Sequence, residues 1–266
     1  MPAKVDLYNT SYGNPSADVY REIRLETYGE DFGQTSWTTL DELDEIPVRL
    51  GLNPDSTVLE IGSGAGGYAV HLAATVGCHV TGVDVNAGGV RFANELARAR
   101  GLESRVRFQE CDVSRGIPFD VNDFDAIYSN DAFCHIPNRL GLLLDARRAM
   151  KPGGRLLYSD AIVVTGQLTS EETATRSSIG HYVFAQPGEN EKLIQDSGFK
   201  LFRVDDTTES AAAIARDWYD ARAKRETALK SIEGEANFAG LQKFLLCAHA
   251  LAAEGRLSRF LYLAQK

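Results

Sequence analysis

Basic runs, Cys-x-x-Cys pairs, long apolar stretches and Pro-rich linkers are all missing from this sequence. Each absence removes a class of function. The 266 residues carry 28 Lys and Arg against 37 Asp and Glu, a net charge of −9. A nucleic-acid backbone needs a positive surface, so nucleic acid is excluded as a partner. The four cysteines, Cys78, Cys111, Cys134 and Cys247, are scattered and have no metal-ligand spacing with the five histidines. We read them as reduced thiols in a cytoplasmic protein and expect no metal. The first residues hold no apolar leader core, and no run is long enough to span a bilayer, so a membrane is excluded too. The chain has no internal repeat or low-complexity segment, and its length suits one α/β domain with insertions.

What is there is concentrated just after residue 56. Residues 57–61 form a short apolar strand pattern, glycines follow at Gly62, Gly64, Gly66 and Gly67, and residues 68–74 have helical periodicity. A strand, a glycine turn and a helix N-terminus make a place where backbone can press against a nucleotide-like ligand. Glycine allows the tight dihedrals and leaves no Cβ in the way. Two patterns overlap here. Gly62, Gly64 and Gly67 satisfy G-x-G-x-x-G, the dinucleotide fingerprint; Glu60 with Gly62, Gly64 and Gly66 satisfies E-x-G-x-G-x-G.

The remaining chain alternates strands and helices. Residues 39–50 read as a helix with Pro47 inside it, and residues 78–84 as a second strand ending in Asp84. An acid at that tip can hold a ribose diol, in a nucleoside of either kind. A helix at 89–100, a third strand at 106–112 ending in Asp112, a fourth strand at 124–131 and a helix at 139–150 follow. Residues 151–154 read as a turn before a fifth strand at 155–160. Residues 161–190 exceed a simple crossover and are read as an insertion at the carboxyl end of the sheet, with a helix at 171–178. A helix at 190–197, a sixth strand at 201–207, long helices at 211–232 and 236–253 and a last strand at 260–264 complete the chain. Residues 1–38 are polar and carry Tyr8, Tyr12, Tyr20 and Tyr28, with a helix at 19–25; we read them as a lid on a domain spanning 39–266. The pattern predicts an α/β fold with a doubly wound, mostly parallel seven-stranded sheet.

Five landmarks occur in order: Glu60 with its glycines, Asp84, Asp112, the turn after Ile127, and the Met150–Gly154 stretch before strand five. Together they resemble the class I S-adenosyl-L-methionine (SAM) methyltransferases over residues 40–205. The resemblance implies SAM as cofactor, with Glu60 orienting the loop around the methionine ammonium, Asp84 on the ribose and Asp112 accepting from the adenine amino group. It also implies cofactor contacts at Gly62, Ser63, Gly64, Gly66, Val85, Val113 and Asn130. A narrower resemblance lies in residues 127–136, with Asp131 and His135. They look like the stretch after strand four in phosphoethanolamine and sarcosine/dimethylglycine N-methyltransferases. Residues 11–20 and 28–32 resemble the N-terminal segment of the phosphobase enzymes. This implies Tyr12 paired with His135, and Asp131 on the substrate amine. That family's phosphate-holding arginine position reads Gly180 here, its tyrosine after the strand-five acid reads Ala161, Tyr182 aligns, and Arg176 is out of register.

Methyl transfer from a sulfonium is an in-line displacement, in which the protein aligns and supplies electrostatics. An amine must attack with a free lone pair, yet alkylammonium groups titrate near ~10, so a base near the methyl group helps. We assign that role to His135, with Tyr12 as its orienter. The substrate is assigned to Asp131, Tyr28, Tyr182 and His181, with the Trp37 ring adding cation–π attraction. His181 is a second candidate base. Cys134 is rejected as a nucleophile, because neighbouring chain positions rarely face each other and no third triad member is apparent. The expected partner is a small-molecule acceptor, an amine first; O- or C-methylation of a natural-product intermediate is the rival chemistry. An NAD-dependent oxidoreductase and a non-catalytic SAM-binding module are the rival classes. The C-terminal helices are read as a cover for the acceptor pocket or as a homodimer contact.

Overall fold

The expected first strand is β1 (Thr57–Ile61). Its side chains divide by parity: Val58 joins one apolar cluster, while Leu59 and Ile61 join the cluster on the opposite face. Burial on both sides is what a central parallel strand requires. The computed structural model describes residues 4–13 and 17–266; residues 1–3 and 14–16, part of the N-terminal segment read as a lid, lie outside the described residues.

Chain order from the amino end runs α1 (Tyr8–Gly13), α2 (Asp18–Tyr28), α3 (Leu40–Leu50), β1, α4 (Gly67–Val76), β2 (His79–Asp84), α5 (Ala87–Ala99) and β3 (Val106–Glu110). It continues through β4 (Phe124–Asn130), α6 (Arg139–Ala149), β5 (Met150–Val164), α7 (Ser170–Arg176), α8 (Glu189–Asp196) and β6 (Lys200–Asp206). The last elements are α9 (Thr208–Ala223), α10 (Glu226–Glu233), α11 (Glu235–Ala253) and β7 (Leu257–Gln265). The sheet order is β3-β2-β1-β4-β5-β7-β6, parallel except for β7, which runs against both neighbours. The expected seven-stranded, mostly parallel α/β sheet is therefore the observed one.

Three expectations are corrected. The expected turn at 151–154 is the start of β5, which pairs from Met150 and absorbs a register shift against β4. The long helix expected over 211–232 breaks into α9 and α10 at Lys224 and Arg225, whose side chains pair with Glu26 and Glu22 of α2. The segment before residue 18, read only as polar, contains α1.

The N-terminal segment, α9 and α11 share one apolar cluster. Val5, Leu7, Ile23, Tyr28 and Trp37 pack with Ile214, Trp218, Leu241 and Phe244. A buried cation lies where this second body meets the sheet. The Arg259 side chain is fully buried at a register shift between β5 and β7. Its guanidinium donates to both oxygens of Asp131 at 2.9 and 3.2 Å, to Glu42 of α3 at 2.7 Å, and to the hydroxyls of Thr38, Ser159 and Thr207. A buried guanidinium is tolerable only when its donors and its charge are all matched in this way. Replacing it by Arg259→Leu leaves Asp131 and Glu42 buried without a countercharge. The expected cost is about 3–5 kcal/mol, read as a lowered denaturation midpoint in urea; an unchanged midpoint refutes this account of the junction.

Candidate active site

The loop after β1 closes because glycine occupies its left-handed positions. Gly62 and Gly64 have φ of 76° and 51°. A Cβ on Gly62 would stand 2.4 Å from that of Ala132, and one on Gly64 2.5 Å from the Tyr12 hydroxyl. Gly66, with φ of 78°, serves the turn: a Cβ there would meet Ala93 and Phe108, and the residue is not among those that line the cavity. Asp84 at the tip of β2 pins the loop: its Oδ2 accepts from the Gly64 amide and its Oδ1 from the Asn86 amide, both at 2.8 Å. Burial raises the Asp84 carboxyl above its ordinary value, and these two amides pull it back. Each oxygen keeps a second lone pair for a ligand hydroxyl.

A cavity of about 780 Å³ opens over this loop. Its inner end contains unspent polar atoms. Glu60 is 2% exposed, and its Oε2 has no hydrogen-bond partner among the described residues. Ser63 Oγ and Asn130 Nδ2, which also belong to lining residues, are buried and unpartnered as well. Burial, then the nearby Asp84 charge, drives the Glu60 carboxyl well above the usual range. A cationic ligand group beside Oε2 relieves both. Val85 is 68% exposed at the cavity, an apolar side chain that a flat ring would cover. Asp112 caps the short 3-10 helix Val113–Arg115; the bond from Ser114 first, then Arg115, holds its carboxyl low and ionised. Asp112 and Val113 line the same end. This donor and acceptor set fits SAM.

The outer end is built on a histidine. His135 lies in the 3-10 turn Phe133–His135 that follows Asp131. Its Nδ1 is 2.7 Å from the His181 carbonyl oxygen, an atom that only accepts, so Nδ1 carries the hydrogen. The bare Nε2 then accepts from the Tyr8 hydroxyl at 2.6 Å. Burial, the largest effect, lowers the His135 pKa, and Arg176 lowers it further; the imidazole is neutral near neutral pH. Burial raises the Tyr8 phenol well above its ordinary value, so Tyr8 holds its proton as donor.

Residues 59–158 match the family profile described as a methyltransferase domain. Those residues therefore carry a methyltransferase domain. Phosphoethanolamine N-methyltransferase 1 of Zea mays is 28% identical over 203 residues, which cover 76% of this chain and 40% of that one. The 27-O-demethylrifamycin SV methyltransferase of Amycolatopsis mediterranei is 26% identical over 265 residues, 94% of each chain. The chain spans 28% to 60% of the length of several curated relatives it matches. Among solved structures, phosphoethanolamine N-methyltransferase 2 of Haemonchus contortus has the same fold, with a TM-score of 0.80 at 22% identity over 98% of this chain and 60% of that one. The antiparallel β7 also separates this methyltransferase fold from the all-parallel dinucleotide sheet.

The methyltransferase site departs from the sequence reading at four side chains. Tyr8, not Tyr12, meets His135. The Tyr12 hydroxyl bonds Thr35 at 2.9 Å and covers the glycine loop. Asp131 is no free anion for a substrate cation: Arg259 takes both its oxygens and the Trp37 amide takes one again. Tyr28 is buried with its hydroxyl on the Ser36 carbonyl, and its ring and that of Trp37 pack against Trp218. Tyr182 stands behind His135, edge-on at 6.1 Å; its hydroxyl donates to the Ala161 carbonyl and accepts from Arg176. His181 does line the cavity, and its backbone oxygen orients His135.

Sequence reasoning passed over Tyr8 although the signal was present: Tyr8 and Tyr12 are four apart, on one face of a helix. It also passed over Asp160. This carboxyl is fully buried on β5, accepts from the Cys134 amide at 3.2 Å, and has a second oxygen without a partner. Burial, then the Asp131 charge, pushes its pKa up to about 8. Its folded value exceeds its unfolded value, so the native state binds the extra proton between those two values. Stability therefore falls as pH rises through that interval. Asp160→Asn keeps the shape and the acceptor. It is expected to gain stability over wild type as pH climbs from 5 towards about 8, measured by urea denaturation at several pH values; a constant difference between the two proteins refutes it.

Proposed function

We propose that the protein is a SAM-dependent methyltransferase of a small-molecule acceptor. The observation that carries the reading is the chain Tyr8–His135–His181 at one end of a cavity that is also lined by Asp84 and by Glu60, Ser63 and Asn130, whose buried Oε2, Oγ and Nδ2 have no partner among the described residues. SAM, when bound, supplies an electrophilic methyl group. The protein's part is alignment and proton removal. Glu60 and Asp84 hold the cofactor end by charge and by hydrogen bonds. The acceptor's attacking atom sits at Tyr8 and passes its proton to the phenol oxygen as the phenol proton moves to His135 Nε2. The imidazolium that forms keeps its Nδ1 hydrogen on the His181 carbonyl.

The amine acceptor expected from the sequence is supported by relatives named for N-methylation. A second reading, a hydroxyl acceptor, is favoured by the engagement of Asp131 with Arg259, which leaves no counterion for an ammonium at that position. The relative matched along 94% of its length is named for an O-demethylated substrate. A screen of amines, amino acids and phenols with SAM separates the two readings.

Two outcomes test the reading as a whole. Asp84→Ala is expected to weaken S-adenosylhomocysteine binding by about 10-fold, the loss of a charge-assisted contact, in calorimetry with NAD as control. Binding indifferent to Asp84 sinks it. In turnover with an acceptor found by the screen, His135→Ala is expected to lose about 10²–10⁴-fold in kcat, the usual worth of a positioned base. The acid limb of the wild-type profile should lie below the ordinary histidine range, because burial lowers this group.

A further inference from the structure

We infer that Asn237, on α11 and outside the cavity lining, is the positioning residue that holds Tyr8 against His135. The inference rests on the reading of Tyr8 and His135 as the proton-accepting pair. Two residues before Tyr8, the backbone of Asp6 is gripped on both sides by one amide. Its N–H donates to Asn237 Oδ1 at 2.8 Å, and its carbonyl accepts from Asn237 Nδ2 at 3.1 Å. A two-point grip fixes rotation as well as distance. The grip is itself anchored, because Asn237 Nδ2 also reaches Glu233 at 3.2 Å. Glu233 is fully buried in an ion pair with Arg222 of α9 at 2.9 Å.

The neighbouring chain is threaded closely enough for this grip to matter. Gly240, one turn further along α11, faces Val5, and a Cβ there would stand 2.7 Å from the valine Cγ2. The Val5 amide donates to the Ser178 carbonyl at 2.9 Å, and His135 Nδ1 bonds His181 three residues further on. Beyond Tyr8, Asn9 Oδ1 accepts from Asn86 Nδ2 at 2.9 Å, beside the ribose-side acid Asp84. Tyr8 thus lies between two tethered points, Asp6 and Asn9. Releasing the Asp6 tether frees the approach of the phenol to Nε2 without touching a cavity residue.

The test reads His135 directly and needs no acceptor. Histidine NMR of the full chain with S-adenosylhomocysteine gives the titration midpoint and the tautomer. The groups facing His135 are Tyr8 from α1, Tyr182 and His181 from the insertion, Arg176 from α7 and Asp131 from the turn before it. Of these, Asn237→Ala disturbs only the first. A hydroxyl donating to the bare nitrogen favours the neutral ring, so its loss raises the midpoint. The expected rise is about half to one pH unit, the size a neutral hydrogen bond contributes. Tyr8→Phe should give the same rise, and the double variant no more than either single one. Gly240→Ala, which pushes Val5 from the same helix, should raise the His135 midpoint too, and serves if Asn237→Ala does not fold. A His135 midpoint unchanged in these variants, or shifts that add in the double variant, overturns the inference. A shifted midpoint with undiminished turnover in His135→Ala leaves the positioning intact and overturns the reading of the pair instead.

Discussion

The Arg259–Asp131 pair is the constraint on which the site depends. Asp131 has a φ of 54°, a conformation a non-glycine residue keeps only when its surroundings hold it there. The guanidinium does so, and the backbone that leaves this left-handed corner goes straight into the turn that carries His135. The same guanidinium bonds α3, β5 and the start of α9. One buried cation therefore helps to set the turn that carries His135 and to join the terminal helices to the sheet. A hydrophobic replacement of the whole cluster could match its stability. It could not hold Asp131 in the left-handed corner, so the polar cluster here specifies geometry.

Burial has opposite uses at the two ends of the cavity. At the outer end it keeps the His135 ring neutral and the Tyr8 phenol protonated, the forms that the proposed proton removal requires. It also makes the imidazole a weaker base, and the carbonyl of His181 offsets this by stabilising the protonated ring. At the inner end burial works against Glu60, whose carboxylate has an oxygen with no partner. A group held in that condition lowers its free energy when a cation arrives. The cofactor end is thus primed by an electrostatic deficit, and the acceptor end by a satisfied hydrogen-bond chain.

How much of this was legible in the sequence follows the same division. The strands and the glycine loop were readable, because parallel strands are short apolar runs and Gly62 and Gly64 answer to local dihedrals. Asp84 was readable because a strand tip followed by a helix has one geometry. The role of Asp131 was not. Its partner Arg259 is 128 residues away, at a register shift that no local pattern announces. The choice between Tyr8 and Tyr12 was open for a related reason. Helical spacing puts both on one face, and only the packing of Val5 and Asp6 on α11 decides which of them reaches His135. The rings of Tyr28 and Trp37 were assigned to a cation because a sequence cannot show that both pack against Trp218 and that neither lines the cavity.

The division has a consequence for what such a fold can vary. The cofactor end is built from β1, β2 and their loops, where side chains are fixed by the sheet and the glycines by backbone sterics. The acceptor end is assembled from pieces of three separate segments: the chain around Tyr8, the turn at His135, and Ile179 to His181 of the insertion. None of these belongs to the parallel sheet, and two of them are stitched to each other by the Val5–Ser178 bond. Changes in their length or lining alter the acceptor without disturbing the strands that hold the cofactor, whereas the Tyr8–His135 contact must be rebuilt each time. A residue such as Asn237, which fixes the path of the chain without meeting a ligand, lets the lining change while that contact stays.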